Sequence, residues 1–138
     1  MSESWQESAS PDDEAVSRLR AALETFAAND AATARGRWWS GRCMVGVGNR
    51  RLLVEVVRGV PTLSELAAPL SSWDFAIVGS VRAWNALWQD PPPPGWHDLF
   101  ALAKRGEMRI EGALQPFMAH LQYVKDMLSA PRHGRRRS

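Results

Sequence analysis

The order of hydrophobic patterns in residues 73–128 constrains the fold more than any other feature of this 138-residue chain. Residues 73–78 alternate between large apolar side chains and others, which predicts a strand. Ser80 is a good N-cap for the helix that follows. A short helix, a second alternating strand at residues 107–111 and a long apolar-faced helix at residues 113–128 complete the order. This succession favours an α+β protein.

The first half of the chain contributes a helix and a β-hairpin. Apolar residues recur at helical spacing from Val16 to Phe26, which predicts an amphipathic helix beginning near Pro11. Gly48-Asn49 separates two apolar segments and predicts a hairpin turn, because both residues tolerate positive φ. Residues 61–70 fit either a short edge strand or a loop. Together these elements predict a mostly antiparallel sheet with helices packed on one face.

Length and charge predict one domain between two tails. Residues 1–12 are acidic and predict a disordered tail, residues 13–130 form the domain, and residues 131–138 predict a basic disordered tail. The net charge is +2. Without its last arginines the domain is close to neutral, so nucleic-acid binding is not expected.

Three negative observations bear on the compartment. A lone cysteine, Cys43, cannot form an intramolecular disulfide, which suits a reducing environment. No apolar run approaches the roughly 18 residues of a transmembrane helix. The N-terminus is acidic and lacks the basic-then-apolar order of a signal peptide. We therefore expect a cytoplasmic protein without a transmembrane segment.

Motifs for metal or nucleophilic chemistry are missing from the sequence. There is no GxSxG elbow, and Cys43 has no histidine partner that the sequence identifies. The three histidines do not have the spacing of a metal-binding motif; they are His97, His120 and His133. The sequence therefore predicts no metal site, no other cofactor and no catalytic residue.

The best enzymatic candidates are Asp74, His97 and Asp98. A carboxylate at the mouth of an apolar pocket can have a raised pKa and act as a general acid or base. However, Asp74 alternates away from Trp73 and Phe75, and His97-Asp98 at a helix start is typical of a cap. An enzyme is therefore the less favoured interpretation.

Residues 75–114 contain a strand closing with Gly79-Ser80, a helix carrying Ala83-Trp84, a polar break, and the segment RGEMRIEGAL at residues 105–114. These features resemble the sterol carrier protein type-two (SCP2) family. The order of elements extends the resemblance over most of residues 14–128. Two departures stand out. Residues 90–103, with four prolines, form a longer break than usual, and the C-terminal Arg-Arg-Arg-Ser lacks a peroxisomal address.

The resemblance implies a five-stranded sheet covered by helices and enclosing an apolar tunnel. It implies that the chain binds and carries a sterol or steroid, a fatty acid or a fatty-acyl thioester, and that the last helix forms a lid. Carried onto this sequence, the predicted lining residues are Phe75, Ile77, Trp84, Leu87, Trp88, Leu99, Phe100, Met108, Ile110, Leu114, Phe117, Met118 and Leu121.

Other interpretations remain open at this point. Without the resemblance, the same apolar residues would be interpreted as an ordinary core. An exposed patch of Trp38, Trp39 and Trp96 could contact a partner enzyme or a second copy of the chain. The alternative is thus a small α+β enzyme, or an accessory subunit acting with a partner enzyme on a steroid-like or terpenoid substrate. The sequence does not identify the ligand.

Overall fold

The computed structural model describes residues 10–65, 72–94 and 99–134, without the side chains of residues 100, 133 and 134. Along the chain the elements are α1 (Pro11–Ala27), α2 (Asp30–Ala34), β1 (Gly41–Val47), β2 (Arg50–Val57), β3 (Val60–Glu65), β4 (Phe75–Gly79), α3 (Val81–Leu87), α4 (Leu99–Lys104), β5 (Met108–Gly112), α5 (Leu114–Ala119), α6 (Leu121–Leu128) and α7 (Ala130–Gly134). The α+β class and the five strands agree with the sequence prediction. The doubtful segment after the hairpin contains the edge strand β3.

The sheet is mixed, which corrects the prediction of a mostly antiparallel sheet. Its strand order is β3-β2-β1-β4-β5. The pairs β1–β2, β2–β3 and β4–β5 are antiparallel, whereas β1 and β4 run parallel. The prediction was wrong because alternation in a sequence identifies a strand but neither its neighbour nor its direction. Here β4 enters the sheet beside β1 rather than beside β3.

Each strand has one face toward the helices and one away from them. In β1 the side chains of Cys43, Val45 and Val47 are fully buried in the main hydrophobic core, where Ala15, Val16, Leu19 and Leu23 of α1 also lie. Burying one large aliphatic side chain stabilises a fold by about 1.5–3 kcal/mol, so these facing rows account for much of the driving force. The opposite face carries a smaller buried cluster of Met44, Ala76 and Val78.

Local capping explains where the helices begin. Ser10 precedes α1 and its hydroxyl accepts a hydrogen bond from the Asp13 amide at 3.1 Å. Pro11 occupies the first turn, where its missing N–H is no loss, and the acidic residues after it favour the positive end of the helix dipole. Ser80 caps α3 in the same way, accepting from the Ala83 amide at 3.0 Å. The N-cap predicted at Ser80 is therefore present.

The long helix predicted over residues 113–128 is two helices. The helical backbone is interrupted at His120, where φ is −120° and ψ is 29°, so α5 ends at Ala119 and α6 begins at Leu121. A continuous helix would hold all its apolar residues in one stripe. The predicted stripe is only partly buried: Phe117 is fully buried, while Leu114 and Met118 of the same helix remain 54% and 49% exposed.

The helix α7 extends into the segment predicted as a basic tail. Residues 1–9 and 135–138, which belong to the two predicted tails, lie outside the described residues. Within the described ranges, none of the helices has both the length and the apolar character that crossing a bilayer requires.

Candidate functional site

Most of the predicted lining residues meet under α3, α5 and α6. Eight are at most 2% exposed and belong to the main core: Phe75, Ile77, Trp84, Leu87, Trp88, Leu99, Met108 and Phe117. Ile110 and Leu121 are half-buried and pack against this core. Leu114 and Met118 instead face solvent. The side chain of Phe100 lies outside the described residues.

Trp84 and Trp88 join α3 to the sheet and to the last long helix. Their rings are 5.7 Å apart, as expected for residues one helical turn from each other. The Trp84 indole N–H donates to the Gly46 carbonyl of β1 at 2.9 Å, and the Trp88 N–H donates to the Leu128 carbonyl of α6 at 2.8 Å. Both buried indole donors are thus satisfied, and both rings present apolar faces to the interior.

Arg18 of α1 packs against Trp88. Its guanidinium carbon lies 5.3 Å from the centre of the Trp88 ring, and its Nη2 donates to the Trp88 carbonyl at 3.3 Å. A guanidinium over an indole face is a favourable cation–π arrangement. The position of Trp88 is therefore held from both α1 and α6.

Trp39 is a core residue, contrary to the prediction that it belongs to an exposed patch. It is 5% exposed and stacks on Phe75 at 6.0 Å and on the His120 ring at 5.1 Å. Strand parity would have found it, because Trp39 is in phase with the inward residues Cys43 and Val45 of β1. Trp38 is 84% exposed, as predicted, and Trp96 lies outside the described residues.

Tyr123 is a second residue that the sequence did not single out. Its ring meets Trp39 edge-on at 5.8 Å, and its hydroxyl donates to the Gly59 carbonyl in the turn between β2 and β3. Burial raises the pKa of this phenol. The contact ties α6 to the far side of the sheet, so α6 is anchored at one end by Tyr123 and at the other by the Trp88–Leu128 bond.

A cavity of about 150 Å³ opens between α3, α4 and the last two helices. Leu87 and Leu99 form its apolar wall, and its rim is polar: Gln122, Lys125, Asp126, Ser129 and Arg132. The Arg132 guanidinium donates twice to the Leu87 carbonyl, at 2.7 and 2.9 Å. Burial lowers the pKa of Arg132, while the charge of Asp90 opposes that shift.

A second cavity of about 330 Å³ lies between the start of α1 and α3, and its lining includes Glu14, Arg18, Asn85 and Gln89. Both cavities have polar side chains in their walls. Neither is the enclosed apolar tunnel that the resemblance implies, and that tunnel stays a prediction.

Cys43, considered as a nucleophile, and Asp74, considered as a general acid, do not form a reactive pair. Cys43 is fully buried, and burial first, then the negative charge of Asp74, raises the pKa of its thiol. A thiol held protonated in this way is a poor nucleophile. Asp74 is exposed, and its Oδ2 accepts from the Arg42 amide at 3.1 Å, which links the starts of β1 and β4. His97 and Asp98 lie outside the described residues.

Metal ligation has no candidate site within residues 10–65, 72–94 and 99–134. No group of three or more histidine, cysteine or acidic side chains comes together there in a way that could hold a metal ion. His120, which lies beside the site, stacks on Trp39 through its ring.

Solved structures provide the comparison with known proteins. A crystal structure of sterol carrier protein 2 shares 14% identity over 84% of this chain and 94% of its own, with a TM-score of 0.62. A UbiJ-SCP2 ubiquinone synthesis protein shares 18% identity over 83% and 88%, with a TM-score of 0.57. Palmitated SCP2L2 from Aedes aegypti shares 11% identity over 80% and 90%, with a TM-score of 0.51. No family sequence model and no curated protein sequence matches this chain.

Proposed function

We propose that this chain, which has the sterol carrier protein 2 fold expected from residues 75–114, binds and carries a hydrophobic small molecule. The observation that supports this most is the likeness to several SCP2 domains over four-fifths or more of the chain. The cargo class that we propose is a sterol or steroid, a fatty acid or a fatty-acyl thioester. One of the similar structures, SCP2L2 from Aedes aegypti, is palmitated, which favours an acyl chain.

We place the ligand among the eight buried lining residues, between the sheet and the layer formed by α3, α5 and α6. Phe75 and Phe117 meet edge-on at 5.3 Å and form one side of this region, and the Trp84–Trp88 pair forms the other. Ile110 and Leu121 would lie at its border. Leu114 and Met118, which the sequence assigned to the lining, would lie outside it.

The ligand must enlarge this interior in order to enter. Sites for small molecules usually occupy about 300–1,000 Å³. The cavity beside Leu87 and Leu99 has about 150 Å³, so side chains or helices around it have to move. We propose this cavity as the entrance, with the acyl chain directed toward Leu99 and the polar head left at the rim near Lys125 and Ser129.

Native mass spectrometry followed by solvent extraction tests the proposal directly. The expected result is a discrete extra mass that extracts as a fatty acid, an acyl thioester or a steroid. If the protein is purified without a ligand, titration with a fluorescent fatty acid and with a steroid replaces the extraction. Failure of both ligands to bind would contradict the carrier function.

A matched pair of substitutions on α5 tests the location. Phe117→Asp puts a charge into the proposed site, whereas Leu114→Asp puts the same charge on the exposed side of the same helix. We expect fatty-acid affinity to fall at least about tenfold for Phe117→Asp, because burying an unpaired carboxylate costs several kcal/mol. Leu114→Asp should bind as the wild type does.

A charge at Phe117 also lowers stability, so Leu121→Asp at a half-buried position serves as the second variant. Circular dichroism establishes that each variant is folded before its affinity is measured. Equal affinity in Phe117→Asp, Leu121→Asp and the wild type would show that the ligand does not lie under α5 and α6.

A second candidate is an accessory subunit acting with an enzyme on a terpenoid. The observation that favours it is the similarity to a ubiquinone synthesis protein. The same extraction distinguishes the two candidates. A bound polyprenyl compound would favour the accessory subunit, and a fatty acid or acyl thioester would favour the general carrier.

A further inference from the structure

The two edge strands of the sheet, β3 and β5, differ in the accessibility of their backbones. An edge strand carries a row of N–H and C=O groups with which an added strand can pair. In β3 this row is obstructed, because Pro61 has no N–H and the Leu63 carbonyl accepts a hydrogen bond from Arg20 Nη1 of α1 at 3.4 Å. β3 is therefore a poor template for a further strand.

Alternate residues of β5 direct their backbone groups toward the open edge of the sheet. The Ala113 amide, just after β5, donates to the Asp74 carbonyl at 2.8 Å. The antiparallel register between β4 and β5 is unbroken over Met108–Gly112. Since successive residues of such a strand alternate in direction, the odd-numbered residues of β5 bond to β4. The N–H and C=O groups of Ile110 therefore point away from β4.

The side chains of β5 are accessible at this edge. Arg109 and Glu111 are exposed, and Ile110 is half-buried against the main core. The preceding helix α4 contributes Leu99 and Leu102 to the same core, which places it over the inner face of the sheet. Within the described residues, no strand lies beyond β5 in the sheet. This edge is thus open to pairing, unlike the edge at β3.

Two charges of opposite sign mark the outer face of β5. Arg109 Nε donates to Glu111 Oε2 at 2.8 Å, and both side chains are more than half exposed. Their neighbours across β4 are Val78 and Ala76, which carry no charge. The charge pattern along β5 is therefore positive and then negative, two residues apart.

This pattern is complementary to itself in one antiparallel register. With Ile110 opposite the partner's Ile110, Arg109 lies opposite the partner's Glu111, and Glu111 lies opposite the partner's Arg109. Glu107, which precedes β5, then lies opposite the partner's Ala113. A shift of two residues in either direction places Arg109 opposite the partner's Arg109 or Glu111 opposite the partner's Glu111. Opposite charges stabilise such cross-strand pairs and like charges destabilise them, so the charges select the first register.

We propose that the protein forms a two-fold symmetric dimer in which β5 pairs antiparallel with β5 of a second copy. The Ile110 backbones hydrogen-bond to each other at the centre, and the Arg109 and Glu111 side chains of both copies form a ring of alternating charges. The two five-stranded sheets become one continuous sheet. The same patch serves both copies, as two-fold symmetry requires. This inference goes beyond ligand carriage and does not depend on it.

Analytical ultracentrifugation tests the dimer. Paired strands of this length make a small interface, so the wild type is measured from about 10 μM to about 1 mM, and we expect monomer at the lower end and dimer at the upper end. Arg109→Glu puts a carboxylate opposite the partner's Glu111 and should raise the dimer dissociation constant about tenfold or more. Combining Arg109→Glu with Glu111→Arg restores opposite charges and should return the constant to within about threefold of the wild type.

Arg42→Glu is the matched control for these variants. Arg42 pairs with Glu55 at 3.6 Å on strands remote from β5, so this substitution breaks a surface pair of the same kind and changes the net charge equally. It should dimerise as the wild type does. Circular dichroism establishes that each variant is folded.

Amide hydrogen exchange locates the interface. The Ile110 amide should exchange several-fold more slowly in the concentrated sample than in the dilute one, because pairing gives it an acceptor. The amides of Arg109 and Glu111, which already bond to β4, should change much less.

Several outcomes would overturn the proposal. They are a monomer at every concentration, wild-type association by Arg109→Glu, no recovery in the Arg109/Glu111 double variant, an equal loss in Arg42→Glu, or a dimer whose Ile110 amide exchanges at the monomer rate. Fatty-acid titration of dilute protein should give the same affinity in all these variants. A failure of dimerisation is therefore distinguishable from a failure of ligand binding.

Discussion

Side chains in β1 and in the residues just before it alternate between solvent and the core. Trp38 is 84% exposed beside Arg37, whereas Trp39 is 5% exposed between Phe75 and His120. Cys43 lies four residues after Trp39, so its side chain is on the same inward face, and it is fully buried. The alternation of strand side chains accounts for all three.

The buried thiol of Cys43 makes a pH dependence predictable. Its pKa in the folded protein is raised above the ordinary 9.0, because burial and the charge of Asp74 disfavour the thiolate. Above pH 9 the unfolded chain releases this proton, whereas the folded chain retains it. The contribution of the protonated thiol to the free energy of unfolding is therefore complete below pH 9 and is lost as the pH rises. Between pH 8 and pH 10 the wild type should lose about 1 kcal/mol more unfolding free energy than Cys43→Ala.

Urea unfolding at the two pH values measures this difference. Tyr123, whose pKa is also raised by burial, is present in both proteins, and its effect cancels in the comparison. Equal losses in the wild type and in Cys43→Ala would show that the Cys43 thiol ionises in the folded protein as readily as in the unfolded chain.

At the scale of elements, the turn between β2 and β3 is the point where the sheet meets α2 and α6. Gly59 has φ of +83°, its amide donates to Trp39, and its carbonyl accepts from the Tyr123 hydroxyl. A Cβ at this position would lie 2.7 Å from the Gly36 carbonyl carbon and nearer still to the Thr33 carbonyl oxygen. Glycine is required here both by the backbone angle and by the close approach of α2.

Gly59→Ala and Gly106→Ala separate these two requirements. Gly106 has a similar φ of +82°, but nothing lies within 4 Å of a Cβ built there. Gly106→Ala should therefore cost only the left-handed backbone penalty, about 1 kcal/mol. Gly59→Ala should cost about 3 kcal/mol, because backbone atoms must also shift. Chemical denaturation measures both values, and equal losses would contradict the proposed contact between α2 and the turn.

At the scale of the whole molecule, one apolar interior serves as core and as the proposed site. Polar contacts that hold the helical layer include Trp84 to Gly46, Trp88 to Leu128, Arg132 to Leu87, Tyr123 to Gly59 and Arg35 to Asp126. Between these points α5 and α6 contact the interior through apolar side chains such as Phe117 and Val124. Apolar contacts are not directional, so they can be exchanged for contacts with a ligand.

Ligand binding should therefore appear as global stability. A ligand that binds the folded state alone stabilises it by about 2.7 kcal/mol at 100 times its dissociation constant. We expect fatty acid below its micelle concentration to shift the urea midpoint of the wild type and of Leu114→Asp by corresponding amounts. Phe117→Asp should show a shift that is smaller by about 1.4 kcal/mol of stabilisation for each tenfold loss of affinity. An equal shift in all three proteins would indicate binding to the outside of the molecule.

Local signals in the sequence determined the strands, most of the helices and the family of folds. Alternation identified β4 and β5, Ser80 identified the start of α3, and the apolar segments on either side of Gly48-Asn49 identified the hairpin of β1 and β2. The pattern of residues 105–114 indicated the fold. Each of these signals depends on residues a few positions apart, which a single sequence displays directly.

Only the tertiary structure decided what depends on distant partners. The parallel placement of β4 beside β1 and the break at His120 result from packing between segments far apart in the chain, as in the stacking of His120 on Trp39. Packing also decides which apolar side of residues 113–128 is buried: Phe117, Val124 and Met127 lie in the core, whereas Leu114 and Met118 are exposed. Helix propensity and period are weak compared with tertiary packing, so such choices follow from the assembled core rather than from the local sequence.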